Sequence, residues 1–232
     1  MPKTFALTAA QFVFTLLMYA IGTVVLGISL FPSLYIVVNF WSHSVHLFPP
    51  ARIFYLSVTA VFGYFLFGIV LIFVASISRV VLRLDVKEGV HRIGSADMLK
   101  WMMSSALIIA VRFFFMEFMK LTPFSALFYK MMGAKVGRNV QINSDYVGDI
   151  PLLEIGDNSV IGGHATVICH SFEKEGLKIE RVKIGKNVII GLNSIILPGC
   201  KIGDYAVIAA GAILPKGTVV EPHQTYFGIK SK

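Results

Sequence analysis

Apolar residues fill the first part of the chain almost without a break and then, from about residue 135, fall into a rhythm of six. No Asp, Glu, Lys or Arg occurs between Lys3 and Arg52, nor between Arg52 and Arg79. A membrane-spanning helix needs about 20 consecutive apolar residues, and 5–41 exceeds that length. Pro32 falls inside the stretch and can kink or end a helix. The reading is therefore one long tilted helix or a helix followed by an interfacial segment. A secretory signal peptide is disfavoured, because the run far outlasts an h-region of about 7–15 residues and its basic start is a lone Lys3. A second span covers 53–78. The connection at 42–51 carries His43, His46 and Pro49-Pro50 and reads as a tight hairpin, its histidines expected in a solvated loop rather than on a metal.

A third apolar stretch, 98–121, differs because it contains Arg112, Glu117 and Lys120 among Trp101, Phe113, Phe114, Phe115 and Phe118. Burying charge in a bilayer is costly. The pattern predicts an amphipathic helix lying in the membrane interface, with a third span that buries Arg112 as the alternative.

In the second half, aliphatic residues recur at Ile184, Ile190, Ile196, Ile202, Ile208, Leu214 and Val220 without interruption. Gly185, Gly191, Gly203 and Ala209 follow directly, and Val188, Ser194, Cys200, Ala206, Ala212 and Thr218 stand four places on. An earlier block at Ile155, Ile161 and Val167 keeps the same step, and a looser one precedes it at Val136 and Ile142. Neither a helical period of 3.6 nor a strand period of 2 explains six. A triangular coil does: each hexad supplies a short strand and a turn, and three hexads close one turn of about eighteen residues. The aliphatic side chains stack inside, small residues sit near the corners, and glycine permits a tight backbone there. About four such coils fit, making a rod roughly 20 Å tall at the usual strand spacing. The predicted fold is thus an all-α membrane region over 1–132, with two transmembrane helices and an interfacial helix, followed by an all-β parallel β-helix over 133–232.

Composition agrees with this division. The chain is 56% hydrophobic and only 15% charged, against about half and about a quarter in soluble domains. The net charge of +8 raises nucleic acid as a partner. However, Arg79, Arg83, Lys87, Arg92 and Lys100 gather just after the second span, as a juxtamembrane collar facing anionic headgroups does. No nucleic-acid motif accompanies them. This bias predicts a multi-pass cell-membrane protein with both ends and the β-helix in the cytoplasm. Cys169 and Cys200 offer no disulfide framework and suit a reducing compartment.

The segments "VGRNVQINSDYVGD", "EIGDNSVIGGHATVICHSFEKEG" and "VKIGKNVIIGLNSIILPGCKIGDYAVIAAGAILPKGTVV" resemble the left-handed β-helix acyltransferases, among them galactoside and maltose acetyltransferases. The likeness covers about 133–228. With the preceding spans, the chain also looks like the membrane-embedded terminal region of poly-lysine-type peptide synthetases. The resemblance implies a left-handed coil, a homotrimer with active sites between neighbouring prisms, and acetyl-CoA or another acyl-CoA as donor, with no metal. The repeat breaks between Val167 and Ile184, and loops on a rigid scaffold are where chemistry tends to sit.

In the resembling enzymes a histidine opens this loop, and His170 takes that place. Its implied role is general base toward an acceptor hydroxyl or amine, which suits an imidazole whose ordinary pKa is about 6.5. Glu173 is a candidate to orient the ring, with a solvated loop acid as the other reading. Asn143 and Asp149 match the acceptor-contacting Asn and Asp of the acetyltransferases, or serve as turn formers. Gly191, Asn193, Ala209, Ala210 and Gly211 match the region bordering the pantetheine arm, and Lys216 is placed to meet a phosphate. These small residues also satisfy coil packing. Cys169 is expected to pack rather than act as a nucleophile, and His164 to lie on the surface. The chain ends "YFGIKSK", where acetyltransferases have a Gly-x-Pro-Ala segment.

A membrane-proximal acceptor follows from the anchor: a lipid-linked sugar, a lipid headgroup or a growing polymer. Two other readings are a non-catalytic trimeric membrane scaffold and a zinc β-helix enzyme of the carbonic anhydrase type. The zinc reading would draw on His164, His170 and His223, whose first pair stands six apart where that family has five.

Overall fold

The computed structural model describes residues 2–228. The chain forms two compact units, one ending at Ser78 and one starting at Arg79. In the first, helix α1 (Pro2–His43) continues through Pro32. Helix α2 (Pro49–Val81) opens on two prolines, where a missing N–H costs no helical bond. His43 is therefore the last helical residue rather than part of the loop, and its Nδ1 lies 2.8 Å from the Asn39 carbonyl. The helices meet at small residues: Ser33 Oγ donates to the Gly63 carbonyl at 2.6 Å. A Cβ on Gly63 would stand only 3.5 Å from that of Ser33, the kind of close approach that apolar helices use in lipid. At the hairpin, Arg52 donates to the Trp41 carbonyl at 3.0 Å and lies 3.9 Å over the Trp41 ring. Both helices are long and apolar enough to cross a membrane.

The second unit begins with β1 (Gly89–His91), α3 (Ala96–Phe114), α4 (Met116–Met119) and α5 (Pro123–Met131). Ser95 caps α3 by accepting from the Met98 amide, satisfying one of its orphan N–H groups. The stretch 98–121 is not one helix: Phe115, at φ −143°, ends α3 and α4 follows. Ser104, Leu107, Ile108 and Val111 are buried at steps of three and four, one face of a helix. Ile109 and Phe113 stay exposed. Lys120 bonds Glu117 at 2.6 Å and Asp145 at 3.3 Å.

The repeat then coils. A first partial turn holds β2 (Lys135–Val136) and β3 (Gln141–Ile142). The next holds β4 (Leu153–Ile155), β5 (Val160–Ile161) and β6 (Thr166–Val167). The hairpin β7 (His170–Glu173) and β8 (Gly176–Ile179) interrupts the rhythm. Coiling resumes with β9 (Val182–Ile184), β10 (Ile189–Ile190) and β11 (Ile195–Ile196). It continues through β12 (Lys201–Ile202), β13 (Val207–Ile208), β14 (Ile213–Leu214), β15 (Val219–Val220) and β16 (Thr225–Tyr226). Strands from successive turns pair in parallel and make three faces: β2-β4-β9-β12-β15, β3-β5-β10-β13-β16 and β6-β11-β14. The hairpin is antiparallel, and β1 joins it along β8.

On each face the last residue of the strand points inward. Ile155, Ile184, Ile202 and Val220 stack in the core, as do Ile161, Ile190 and Ile208 and Val167, Ile196 and Leu214, all buried. Each such side chain is worth about 1.5–3 kcal/mol. Ser159, Val188, Ser194, Cys200, Ala206 and Ala212 fill the remaining interior.

Glycine after the aliphatic residue answers to space rather than to φ. A Cβ on Gly156 would lie 2.6 Å from the Gly185 carbonyl group, and one on Gly191 would lie 2.5 Å from the Ala210 nitrogen. The positive-φ positions are elsewhere on the corners, at Asn158, Asn187, Tyr205 and His223, and at His164, Asn193 and Gly211. Asparagine tolerates this left-handed backbone best among residues with a side chain, which explains its recurrence.

Outward residues differ by face. The first bears Lys135, Glu154, Lys183 and Lys201 in register. Lys135 donates to Glu154 at 2.8 Å, and Arg181 bridges Glu154 and Glu88 at 3.3 and 2.9 Å. The other two bear Val160, Ile189 and Val207, and Thr166, Ile195 and Ile213.

Two outcomes follow from this packing. Gly156→Ala forces the turns apart at backbone that cannot yield, and should lower unfolding free energy by about 1–3 kcal/mol in a denaturant titration. The bonded Lys135 ammonium, with Lys183 and Arg181, holds Glu154 below the usual carboxylate value of 4.5. A depressed folded pKa adds stability above the unfolded value and loses it as pH falls. The Tm of the parent should therefore drop more steeply below about pH 4.5 than that of Glu154→Gln.

Candidate functional site

The break in the repeat sets its first residue, His170, at the start of β7. Asp149 stands 21 residues earlier, at φ 50°, where the chain leaves the first partial turn through a short 3-10 segment, Ile150–Leu152. Stacking brings the two together: His170 Nδ1 lies 2.6 Å from Asp149 Oδ2. The same oxygen accepts from the Cys169 amide at 2.8 Å. The other, Oδ1, accepts from the Trp101 indole N–H of α3 at 2.7 Å. Three donors, one on α3 and two adjacent at the start of the hairpin, thus hold a carboxylate whose side chain is 2% exposed, and buried charge needs such partners. Because the carboxylate accepts, Nδ1 of the neutral ring carries the proton and Nε2 keeps its lone pair. His170 is itself a quarter exposed.

A cavity of about 310 Å³ opens on this pair. Trp101, Ile108 and Ile109 of α3 form one wall, with the Trp101 ring centroid 4.7 Å from that of His170. Val147, Thr166 and Ile168 of the prism form another, and Arg112 with Tyr146 stands at its edge. A larger groove of about 660 Å³ follows the lysine-bearing face and includes neither His170 nor Asp149.

The other expected residues fall in different places. Glu173 does not reach His170. It accepts from Lys216 Nζ at 3.0 Å and from Ser171 Oγ at 3.1 Å. The bonded Lys216 holds its carboxyl below the ordinary range. The carboxylate in contact with the His170 ring is instead Asp149, expected at the acceptor, and Lys216 is paired with Glu173. Asn143 is half-buried, its amide bonded to the Ile161 carbonyl, and lies outside the cavity lining. Gly191, Asn193, Ala209, Ala210 and Gly211 line one corner with His164: Asn193 N donates to the Gly163 carbonyl and Gly211 N to that of Leu192. Asn193 and Gly211 hold the left-handed positions there, as His164 does one turn earlier. Cys169 is buried, and burial together with the Asp149 charge pushes its thiol pKa up, so the sulfur stays neutral and its contribution is the backbone N–H. Trp101 and Arg112 read in the sequence only as part of an amphipathic segment. No spacing rule connects them to a histidine 69 and 58 places on. Of the closing "YFGIKSK", 229–232 lies outside the described residues.

A parallel prism of six-residue repeats is the mark of a class of bacterial transferases. The family model of bacterial transferase hexapeptide (six repeats) matches residues 181–216. YvoF of Bacillus subtilis (strain 168), assigned as an acetyltransferase, is 33% identical over 117 residues, covering 47% of this chain and 68% of YvoF. Galactoside O-acetyltransferase of Escherichia coli (strain K12) is 36% identical over 89 residues, covering 35% of this chain and 44% of that enzyme. Delta-poly-L-ornithine synthetase of Acinetobacter baumannii (strain AB307-0294) is 24% identical over 114 residues, covering 49% of this chain and 9% of the synthetase. The chain belongs to the bacterial hexapeptide-repeat transferase family and is an acyltransferase of that class.

Cys169 and Cys200 are both buried, and burial raises the pKa of each thiol. Neither should react with a water-soluble disulfide reagent in the native protein, and both should titrate after unfolding. Rapid native labelling of Cys169 would contradict this packing.

Proposed function

We propose that the chain is a membrane-anchored acetyltransferase in which His170 is the general base and Asp149 its orienting carboxylate. The observation that carries this reading is the 2.6 Å contact between them beside a cavity. In the proposed step the acceptor O–H or N–H gives its proton to His170 Nε2 as its heavy atom attacks the thioester carbonyl. The tetrahedral intermediate collapses, the C–S bond breaks, and the imidazolium returns the proton to the CoA thiolate. Asp149 favours the imidazolium through the Nδ1 hydrogen bond.

Acetyl-CoA, or another acyl-CoA, is the proposed donor. Its pantetheine arm would follow the small-residue corner at Gly191, Ala209 and Ala210, the region that matches the donor groove of the resembling enzymes. The apolar outward rows on two faces support a homotrimer, since Ile189 is 52% and Ile213 45% exposed in one chain, and a second copy would cover them. A left-handed winding of about four coils accompanies this family reading. The two apolar helices and the basic collar support anchoring with the prism in the cytoplasm, near exposed Phe113, Phe118 and Leu121, which suit an interface. The acceptor would then be a lipid-linked sugar, a lipid headgroup or a growing polymer. The likeness to a poly-ornithine synthetase favours an amine as a second acceptor class.

His170→Ala should lower acetyl-CoA-dependent transfer by about 10²–10⁴-fold, the usual worth of a general base. Asp149→Asn should lower kcat with little change in KM for acetyl-CoA. Release of free CoA in the presence of acceptor measures both. Undiminished transfer by His170→Ala would remove the base assignment.

A further inference from the structure

The cavity beside His170 contains two side chains with a formal charge, Asp149 and Arg112. Asp149 is fully engaged by Trp101, Cys169 and His170. Arg112 is exposed at the cavity edge and makes no ion pair among the described residues; its guanidinium carbon lies 5.5 Å over the Tyr146 ring. Nearby carboxylates are committed elsewhere: Asp145 and Glu117 both hold Lys120. The remaining lining is apolar or hydroxyl-bearing, with Trp101, Ile108 and Ile168 as walls.

A cation with five fixed donors, unpaired at the mouth of an apolar pocket, suits a phosphate or carboxylate that it can grip by two bonds. The geometry points to an acceptor that carries an anionic group, phosphate first, held by Arg112 while its hydroxyl or amine reaches His170. The stacked Tyr146 ring keeps the guanidinium in place through a cation–π contact. This inference rests on His170 being the base. Two sources supply the same chemistry: a soluble phosphorylated metabolite, or the phosphodiester of a lipid headgroup entering past exposed Ile109 and Phe113.

The full chain, reconstituted in phosphatidylcholine vesicles with labelled acetyl-CoA, tests this with matched acceptors. Soluble pairs are glycerol 3-phosphate with glycerol, and glucosamine 6-phosphate with glucosamine. The lipid pair is phosphatidylglycerol with diacylglycerol, each doped into the vesicles. The parent should prefer the anionic member of at least one pair by on the order of tenfold in kcat/KM. Arg112→Gln should cut that ratio about tenfold, while Arg112→Lys, which keeps the charge but not the fork, should cut it less. A preference confined to the soluble or to the lipid arm identifies the source. A ratio near one in the parent, or an unchanged ratio in Arg112→Gln, overturns the inference.

Equilibrium dialysis with labelled glycerol 3-phosphate reads the site without turnover. Saturable binding that Arg112→Gln weakens is expected, and none at millimolar probe, or binding indifferent to the change, counts against it. If transfer survives His170→Ala, the base assignment fails instead, and dialysis still decides on Arg112.

Discussion

Successive turns of the prism lie so close that the backbone of one occupies the space where a side chain of the next would begin. The Gly156 and Gly191 positions, with backbone 2.5–2.6 Å from an ideal Cβ, mark how little room there is. That contact sets the rest. It lets each turn hydrogen-bond to its neighbour along three faces, and it aligns one aliphatic residue per strand into a continuous core. It also means that extra chain can leave only outward. The hairpin at 170–179 is such an exit, and so is the short 3-10 segment after Asp149. Because the stack is rigid, both exits have fixed positions relative to each other.

The Asp149 carboxylate turns that geometry into chemistry. Alone, a carboxylate this buried would carry a large desolvation cost. The indole of Trp101, the amide of Cys169 and the ring of His170 offset it with three hydrogen bonds. Two of the donors are neighbours in the prism and the third lies on α3, so the carboxylate also ties helix α3 to the prism. The aromatic wall that this helix presents narrows access to His170 and leaves Arg112 at the edge. Helix α3 and the repeat thus build one cavity together.

The edge of the hairpin shows a second use of the chain that precedes the repeat. Strand β1 pairs along β8, so the segment that leaves the second apolar helix closes a sheet over the loop that His170 opens. A Cβ at Gly176 would run into the His91 carbonyl, which explains a glycine at that position of the hairpin. Glu173 and Lys216 pair across from this hairpin to the late turns. That pairing leaves the imidazole to Asp149.

Much was legible in the sequence because it is periodic or compositional. A step of six over seven aliphatic positions has few structural solutions, and two long stretches without charge have few environments. His170 was visible as the residue opening the only long gap in that step. Asp149 was visible as a residue but not as the neighbour of the His170 ring: that contact is set by how the first partial turn stacks on the next, a register that a looser repeat does not announce. Glu173 was near in sequence and points elsewhere in space, since an alternating hairpin turns successive side chains apart. Trp101 and Arg112 carried no signal beyond amphipathicity. Periodicity along a chain determines which elements form and which face they bury, but a site made by contact between a helix and a coil 48 residues apart depends on packing, which only the tertiary structure decides.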